Sequence, residues 1–197
     1  MEIDLAELRR RLARPRTLES SLYGDDGSAR EQAAVIAAAV LVPIIAHAEG
    51  LTVLFTRRTA HLKAHSGQVS FPGGRAEPGD ASPERTALRE AEEEIGLAAR
   101  RVEVLARLPE YLTRTGFRVT PVVGLIEPPL ELVPDAREVD EVFEVPLAYI
   151  LDAANHRRES RRIGERLATY YVIEHQGRTI WGATAGMLVN LSRALAA

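Results

Sequence analysis

Residues 89–97 read REAEEEIGL, and this acidic stretch decides how the rest of the chain is interpreted. Residues 82–84, Ser-Pro-Glu, are a typical helix start, because the serine side chain can cap the first turn and proline needs no backbone donor there. Gly96 is a typical helix end, since glycine adopts the left-handed conformation without a steric penalty. The sequence therefore predicts a helix from Pro83 to about Ile95.

The predicted helix places three glutamates on one face. At about 100° of rotation per residue, Glu90, Glu93 and Glu94 share an arc of about 100°, whereas Glu92 points elsewhere. The apolar residues that can pack against a sheet lie on another arc: Ala87, Leu88, Ala91 and Ile95. Like charges four residues apart destabilise a helix by about 0.2–0.5 kcal/mol per pair. A divalent cation bound to this face would remove that penalty. The alternative interpretation is that the face binds no cation and is simply solvated.

The chemistry of these donors indicates which cation to expect. Carboxylate oxygens without histidine or cysteine favour hard ions, so we expect Mg²⁺ or Mn²⁺ rather than Zn²⁺. Magnesium usually completes its coordination with waters and substrate phosphates. The acidic face therefore predicts metal-dependent phosphate chemistry, with Glu90, Glu93 and Glu94 as candidate ligands.

The overall composition is ordinary for a globular protein and excludes several functional classes. The chain has 197 residues, which predicts a single domain over residues 1–197 with an N-terminal extension at residues 1–30. Its 25 basic and 28 acidic side chains leave a net charge of −3, so we expect no nucleic-acid partner. The absence of cysteine excludes disulfides and thiolate metal sites, and it fits a cytoplasmic location.

No segment of the sequence has the length expected of a membrane span. The longest apolar run, residues 33–46, has 14 residues and contains Pro43, whereas a spanning helix needs about 18 or more. We therefore expect no membrane partner. The N-terminus lacks the basic-then-apolar order of a secretion signal and instead predicts a short amphipathic helix that carries Leu5, Leu8 and Leu12.

Segments rich in branched apolar residues alternate with turn signals along the chain. Two strands are predicted at 33–47 and 51–58, followed by a loop over 59–82. Further strands are predicted near residues 101–108, 118–126, 139–145, 166–174 and 178–182. Two more helices are predicted, one opening at Pro146 and one carrying Met187, Leu188, Leu191 and Leu195. Helices among mostly β segments predict an α/β protein in which helices cover a mixed sheet.

Gly73, Gly74, Asp80 and residues 89–97 together resemble the Nudix box. That pattern is a glycine, five residues, a glutamate, seven residues, and then Arg-Glu-apolar-x-Glu-Glu-x-Gly-apolar. The second half matches at every fixed position. In the first half Asp80 stands in place of the glutamate, and eight residues separate it from Arg89. The resemblance implies the Nudix fold, a mixed β-sheet sandwiched between helices (α/β/α).

The Nudix resemblance also implies an activity and roles for the residues of the box. Nudix enzymes cleave a nucleoside diphosphate linked to another group, using water activated by Mg²⁺ or Mn²⁺. Carried over by position, Glu90, Glu93 and Glu94 are metal ligands, and Glu93 also orients or deprotonates the water. Arg89 is implied to pair with the acids and to hold the helix against the glycine loop.

A second resemblance lies immediately upstream of the box. Residues 54–59, Lys63, Gly67 and residues 71–74 look like the signature of the coenzyme A pyrophosphatase subgroup, with its spacing kept throughout. Two further segments look like this subgroup, residues 116–124 and 181–185. The implied reaction is hydrolysis of the diphosphate bond of coenzyme A and its derivatives to 3′,5′-ADP and 4′-phosphopantetheine.

The two basic positions of the subgroup signature are candidate substrate-binding residues, and they are occupied here by Arg58 and Lys63. Lysine keeps the charge of the arginine that the subgroup has at the second position, but it lacks the bidentate fork. We expect at least one of the two side chains to contact a substrate phosphate. Gly73 and Gly74 are expected either to let backbone N–H groups approach the diphosphate or to turn the chain into the metal site.

Several alternatives stay open at this level. The box leaves the attached group undetermined, so ADP-ribose or a dinucleotide are alternative small-molecule substrates, and a non-catalytic nucleotide sensor is a third interpretation. A catalytic base outside the box has three candidates, Glu138, Glu141 and Glu144. Phe117 either stacks on adenine or packs in the core. The arginine cluster at 157–166 is either a solvated loop or a border of the pocket or of a partner subunit, and a homodimer is left open.

Overall fold

The computed structural model describes residues 3–14, 35–60, 67–163 and 166–196. The helices are α1 (Leu5–Leu12), α2 (Pro83–Ile95), α3 (Leu147–Leu151) and α4 (Ala183–Ala196). The first strands are β1 (Ile36–His47), β2 (Gly50–Arg58), β3 (Val69–Ser70), β4 (Gly73–Arg75), β5 (Val102–Arg107) and β6 (Tyr111–Leu112). The remaining strands are β7 (Phe117–Ile126), β8 (Val139–Pro146), β9 (Arg157–Ile163), β10 (Arg166–His175) and β11 (Arg178–Trp181).

The strands form two sheets, and the larger one is mixed. Its order is β3-β2-β1-β7-β5, with β4 also paired to β1, β6 to β7 and β8 to β2. Strand β1 runs parallel to β7 and antiparallel to β2. The smaller sheet has the order β11-β10-β9, and its pairs are antiparallel. The mixed sheet predicted from the sequence is confirmed.

Helices cover both faces of the larger sheet. One buried cluster joins α2 to β1 and β2: Ala87, Ala91, Ile95, Leu41, Ile45 and Leu54. A second cluster joins the same strands to α1, α3 and α4: Leu8, Leu12, Ile150, Leu188, Leu191, Ile44, Val53 and Phe55. Because successive residues of a strand point to opposite faces, Ile44 and Ile45 enter different clusters. The resulting layers are those of the Nudix α/β/α fold that the sequence predicts.

Helix α2 begins and ends at the predicted residues. The Ser82 side chain accepts a hydrogen bond from the Arg85 backbone N–H, and Pro83 occupies the first turn. Gly96 ends the helix in the left-handed conformation with a φ of 69°. Local capping thus sets the position of α2 along the chain, and burial of its apolar stripe sets which face turns away from the sheet.

Two segments differ from the sequence prediction. The loop predicted over residues 59–82 is wrong in part, because β3 and β4 lie within it and β4 pairs with β1. The arginine-rich stretch 157–162, for which a solvated loop is one prediction, is strand β9 with exposed side chains. Backbone pairing with β10 decides this conformation, which side-chain composition does not signal.

The N-terminal helix packs into the main core. Asp4 caps α1 by accepting a hydrogen bond of 2.8 Å from the Glu7 backbone N–H, and Leu8 and Leu12 are buried in the cluster that contains α4. Residues 15–34 lie outside the described ranges, so the single domain with an extension at 1–30 stays a prediction. Within the described ranges, no helix combines the length and the apolarity needed to cross a bilayer.

Candidate active site

A cavity of about 550 Å³ collects most of the predicted site residues. Its walls come from β1, β3, β4, β7, α2 and the start of α4. The predicted residues that line it are Arg58, Gly73, Gly74, Glu90 and Glu94, together with the candidate base Glu138. Glu93 does not line the cavity. Lys63 lies outside the described residues, so its contact with a phosphate stays a prediction.

The glycine strand β4 lies directly against the carboxylate face of α2. The Gly73 N–H donates to the Glu94 carboxylate, with 3.3 Å between N and Oε2. A Cβ added to Gly74 would lie 2.5 Å from Oε1 of Glu90, and one added to Gly73 would lie 2.5 Å from the carbonyl oxygen of Ala39. Both positions therefore need glycine so that the strand can approach the helix and the sheet closely.

We expect Gly74→Ala to lower kcat/KM at least about tenfold with little loss of stability. The added methyl group must displace the Glu90 carboxylate, which is the far end of a side chain and can move. Gly73→Ala is the contrasting variant, because its methyl group meets the backbone of Ala39 and Val40. There we expect the free energy of unfolding to fall by about 1–3 kcal/mol. Kinetics and denaturant unfolding measure both effects, and full activity of Gly74→Ala would contradict a functional position for Glu90.

Arg89 ties the acidic box to the glycine strand. Its guanidinium donates to the Asp80 carboxylate and to the Arg75 carbonyl oxygen, both at 3.0 Å. It also lies 3.0 Å from the carboxylates of Glu90 and Glu93. The Arg89 guanidinium holds the pKa of Asp80 well below its usual range. Asp80 thus occupies the acid position beside the arginine in spite of the extra residue between them.

Burial makes the carboxylates of the cavity costly to ionise. The Glu94 side chain is 7% exposed, and burial raises its pKa to about 7 although Arg58 lies 3.6 Å away. Burial also raises the pKa of Glu90. Glu93 differs, because its side chain is 59% exposed, although it lies as close to Arg89 as Glu90 does. A cation beside Glu90 and Glu94 would offset the cost of their ionisation.

The raised pKa of Glu94 predicts that the metal-free protein loses stability as the pH rises. Between the usual pKa of 4.5 and about 7, the folded protein keeps a proton that the unfolded chain has released, so the free energy of unfolding falls. We expect a fall on the order of 2–3 kcal/mol over this range. Denaturant unfolding in a chelator at several pH values measures it. Glu94→Gln should remove this component, and an unchanged pH dependence in that variant would contradict the assignment.

The donor set fits a hard divalent cation, and the role of Glu93 as a third ligand stays a prediction. Glu90 and Glu94 line the cavity, whereas Glu93 is exposed and does not line it. Across the described ranges, no three histidine or acidic side chains are gathered closely enough to hold a metal ion. Glu90 and Glu94 can hold Mg²⁺ or Mn²⁺ when water and substrate oxygens complete the coordination.

Of the three candidate bases outside the box, Glu138 lines the cavity and the other two do not. The Glu138 carboxylate lies 3.9 Å from the Arg58 guanidinium, and its side chain is about half exposed. Glu141 forms an ion pair with Arg178, and the Glu144 carboxylate lies 2.6 Å from Nε2 of His47. A base outside the box is therefore best sought at Glu138.

Two further arginines line the cavity, Arg75 and Arg114, and the sequence alone does not mark them. Arg75 ends the short strand β4, and Arg114 lies in the turn between β6 and β7, so no periodicity marks either of them. Phe117 also lines the cavity, and the Arg75 guanidinium lies over its ring, 5.7 Å from the ring centre. The described part of β9 contributes no residue to the cavity lining.

The mixed sheet, the acidic helix and the Gly-Gly strand together define a protein of the Nudix class. The chain belongs to the family described as NUDIX domain, whose model matches residues 35–167. This range contains the predicted site residues and ends within β10.

Two relatives agree with this membership, and a solved structure agrees with the fold. A protein of Photorhabdus laumondii subsp. laumondii named Uncharacterized Nudix hydrolase NudL is 43% identical over 157 residues, which cover 79% of this chain and 83% of the relative. A protein of the same name from Yersinia enterocolitica is 40% identical over 156 residues, covering 79% and 80%. The crystal structure of the Nudix hydrolase RenU from M. smegmatis matches the fold with a TM-score of 0.56 and 23% identity, covering 90% of this chain and 95% of RenU.

Proposed function

We propose that this protein hydrolyses the diphosphate bond of coenzyme A and its derivatives to 3′,5′-ADP and 4′-phosphopantetheine, in the cytoplasm and with Mg²⁺ or Mn²⁺ as cofactor. The observation that carries the proposal is that residues of both sequence motifs line one cavity. Glu90 and Glu94 come from the Nudix box, and Arg58 comes from the upstream signature that resembles the coenzyme A subgroup. The substrate is a small molecule that reaches both sets of residues at once.

The carboxylates of α2 are assigned to the cation. Glu90 and Glu94 would hold it beside the glycine strand, where Gly74 leaves room for the carboxylate. When bound, the cation supplies Lewis-acid neutralisation of the diphosphate charge and lowers the pKa of a water molecule. We assign Glu93 as the third ligand, because it shares a face of α2 with Glu90 and Glu94 and its exposed side chain is held only by the pair with Arg89 among the described contacts. Arg89 acts as a positioning residue, because its guanidinium donates hydrogen bonds to the Asp80 carboxylate and to the Arg75 carbonyl oxygen.

Arg58 and Glu138 supply charge and proton transfer on the other side of the cavity. The Arg58 guanidinium lies 3.6 Å from Glu94 and 3.9 Å from Glu138. Both distances exceed those of a charge-assisted hydrogen bond, so the guanidinium can turn to a phosphate oxygen without losing a strong bond. We assign to Glu138 the proton of the attacking water, because its half-exposed side chain lines the cavity beside Arg58.

The size and lining of the cavity support a long substrate. Its volume of about 550 Å³ lies within the range of pockets that hold whole small-molecule ligands, well beyond a diphosphate alone. Beyond the acids the walls are largely apolar, with contributions from Val40, Phe71, Val119, Ala183 and Met187. Such walls suit a substrate that has an extended, partly apolar arm on one side of the diphosphate.

A substrate panel tests the proposal. We expect kcat/KM in Mg²⁺ to be higher for coenzyme A than for ADP-ribose or a dinucleoside polyphosphate. The reverse order would replace coenzyme A with another nucleotide diphosphate while keeping the hydrolytic chemistry.

A calorimetric titration with a non-hydrolysable coenzyme A analogue, beside a turnover assay, separates an enzyme from a sensor. We expect metal-dependent binding together with turnover of coenzyme A. Tight binding without turnover of any compound in the panel would contradict an enzymatic function and favour nucleotide sensing.

A further inference from the structure

We propose that the cavity carries a second anion subsite, formed by Arg75 and Arg114, which binds a phosphomonoester of the substrate separate from the diphosphate. The inference rests on the proposed function, because it assigns one more group of the same substrate to the same cavity. Both arginines line that cavity together with the acidic residues of α2. No periodicity or motif in the sequence identifies these two arginines, and the fold brings them to the cavity.

Arg75 is held in position without being neutralised. It ends β4, whose backbone pairs with β1, and its carbonyl oxygen accepts a hydrogen bond from Arg89. Its guanidinium lies over the Phe117 ring at 5.7 Å from the ring centre, a distance at which cation–π attraction orients the group. A cation–π contact uses none of the N–H donors of the guanidinium in a hydrogen bond, so they stay available to an anion. Phe117 packs against the main core cluster, as one of the two predictions for it states, and its held ring is assigned to orient the Arg75 guanidinium.

Arg114 approaches the cavity from the turn between β6 and β7. The turn is shaped by its own hydrogen bonds: the Thr113 hydroxyl accepts from the Phe117 backbone N–H at 3.0 Å, and the Gly116 N–H donates to the Thr113 carbonyl at 3.2 Å. The Arg114 side chain is exposed and lines the cavity. Glu110 on the preceding segment does not neutralise it, because Glu110 lies 3.8 Å from Arg118.

The described lining of the cavity carries three arginines and three glutamates. Besides Arg75 and Arg114, its charged side chains among the described residues are Arg58, Glu90, Glu94 and Glu138. These acids already face Arg58 or Arg89. Neither Arg75 nor Arg114 has a side-chain hydrogen bond or an ion pair with any residue in the described ranges. Two unpaired cations beside one cavity create a local positive potential that an anion relieves.

The chemistry of the two groups indicates a phosphomonoester. Guanidinium groups bind phosphate oxygens through paired N–H donors, and two of them match a group that carries close to two negative charges. The diphosphate is expected beside the carboxylates of Glu90 and Glu94, where the cation is held. The arginines then serve a different phosphate of the same molecule. The substrate class is a nucleoside diphosphate derivative that carries an additional phosphomonoester.

Isothermal titration of the full chain with 3′,5′-ADP and with AMP tests this subsite, because the two nucleotides differ by one phosphomonoester. We expect the unaltered protein to bind 3′,5′-ADP at least about tenfold more tightly than AMP. The double variant Arg75→Gln/Arg114→Gln should lose this preference while its Kd for AMP stays unchanged. A matched control, Arg85→Gln/Arg100→Gln, removes two exposed arginines outside the cavity and should keep the preference. Arg114→Gln alone, at an exposed turn, should reduce the preference without affecting the fold.

Equal affinity of the unaltered protein for 3′,5′-ADP and AMP would overturn the proposal. So would an equal loss of affinity for both nucleotides in the double variant. A preference for 3′,5′-ADP that survives in the double variant but disappears in Arg161→Gln/Arg162→Gln on β9 would also overturn it. The titration needs no turnover. An arginine-dependent preference in a protein that fails to cleave coenzyme A would support the subsite and contradict the proposed function. Cleavage of coenzyme A without the preference would support the proposed function and contradict the subsite.

Discussion

Glu94→Gln is expected to lower kcat by at least about a hundredfold, a loss of about 2.7 kcal/mol of transition-state stabilisation, while the protein keeps its fold. Glutamine has nearly the same shape and can still accept the hydrogen bond from the Gly73 N–H. It removes one of the two negative charges that α2 presents to the cavity. Steady-state kinetics at saturating Mg²⁺ measure the effect, and thermal unfolding checks the fold.

Glu92→Gln is the matched control for this prediction. Glu92 lies on the same helix and differs from Glu94 in being exposed and outside the cavity. We expect its activity to stay near that of the unaltered protein, whereas Glu90→Gln should resemble Glu94→Gln. A Glu94 variant that keeps more than about a tenth of the original rate, a loss below about 1.4 kcal/mol, would contradict an essential role for that carboxylate.

Removal of divalent metal is expected to abolish activity. The carboxylates of Glu90 and Glu94 repel a diphosphate unless a cation lies between them, so EDTA should stop turnover. Mg²⁺ or Mn²⁺ should restore the rate, and Zn²⁺ should substitute poorly because a site of oxygen donors alone does not favour it. The rate should also rise on the alkaline side of neutrality, since the attacking water must lose a proton.

Dialysis against EDTA followed by titration with each metal chloride provides the measurement. The control is the Glu90→Gln/Glu94→Gln double variant, in which added metal should restore little or no activity. Undiminished turnover after exhaustive chelation would contradict the assignment of these carboxylates to a metal-dependent reaction.

Features set by neighbouring residues in the chain could be predicted from the sequence. The start and end of α2 follow from Ser82, Pro83 and Gly96, and these local signals act whatever the helix packs against. The hairpin of β1 and β2 follows from two apolar runs around Gly50. The motif spacing also identified Glu90, Glu94 and Arg58, which the fold brings to one cavity.

Features set by tertiary contacts could not be predicted in the same way. Strand β4 has few side chains that signal a strand, and it forms because β1 offers backbone partners to Gly73–Arg75. The helical wheel places Glu93 with Glu90 and Glu94, but in the folded chain Glu93 is exposed and does not line the cavity. Arg75 and Arg114 lie far apart in sequence, and the pairing of β4 with β1 and of β6 with β7 brings both to the cavity.

The most direct test of the central claim is identification by mass of the products formed from coenzyme A in Mg²⁺. We predict equimolar 3′,5′-ADP and 4′-phosphopantetheine, formed by the unaltered protein and the Glu92→Gln control and reduced at least about a hundredfold in Glu94→Gln. Recovery of intact coenzyme A under conditions in which ADP-ribose or a dinucleotide is cleaved, or products from cleavage at a bond other than the diphosphate, would contradict the account.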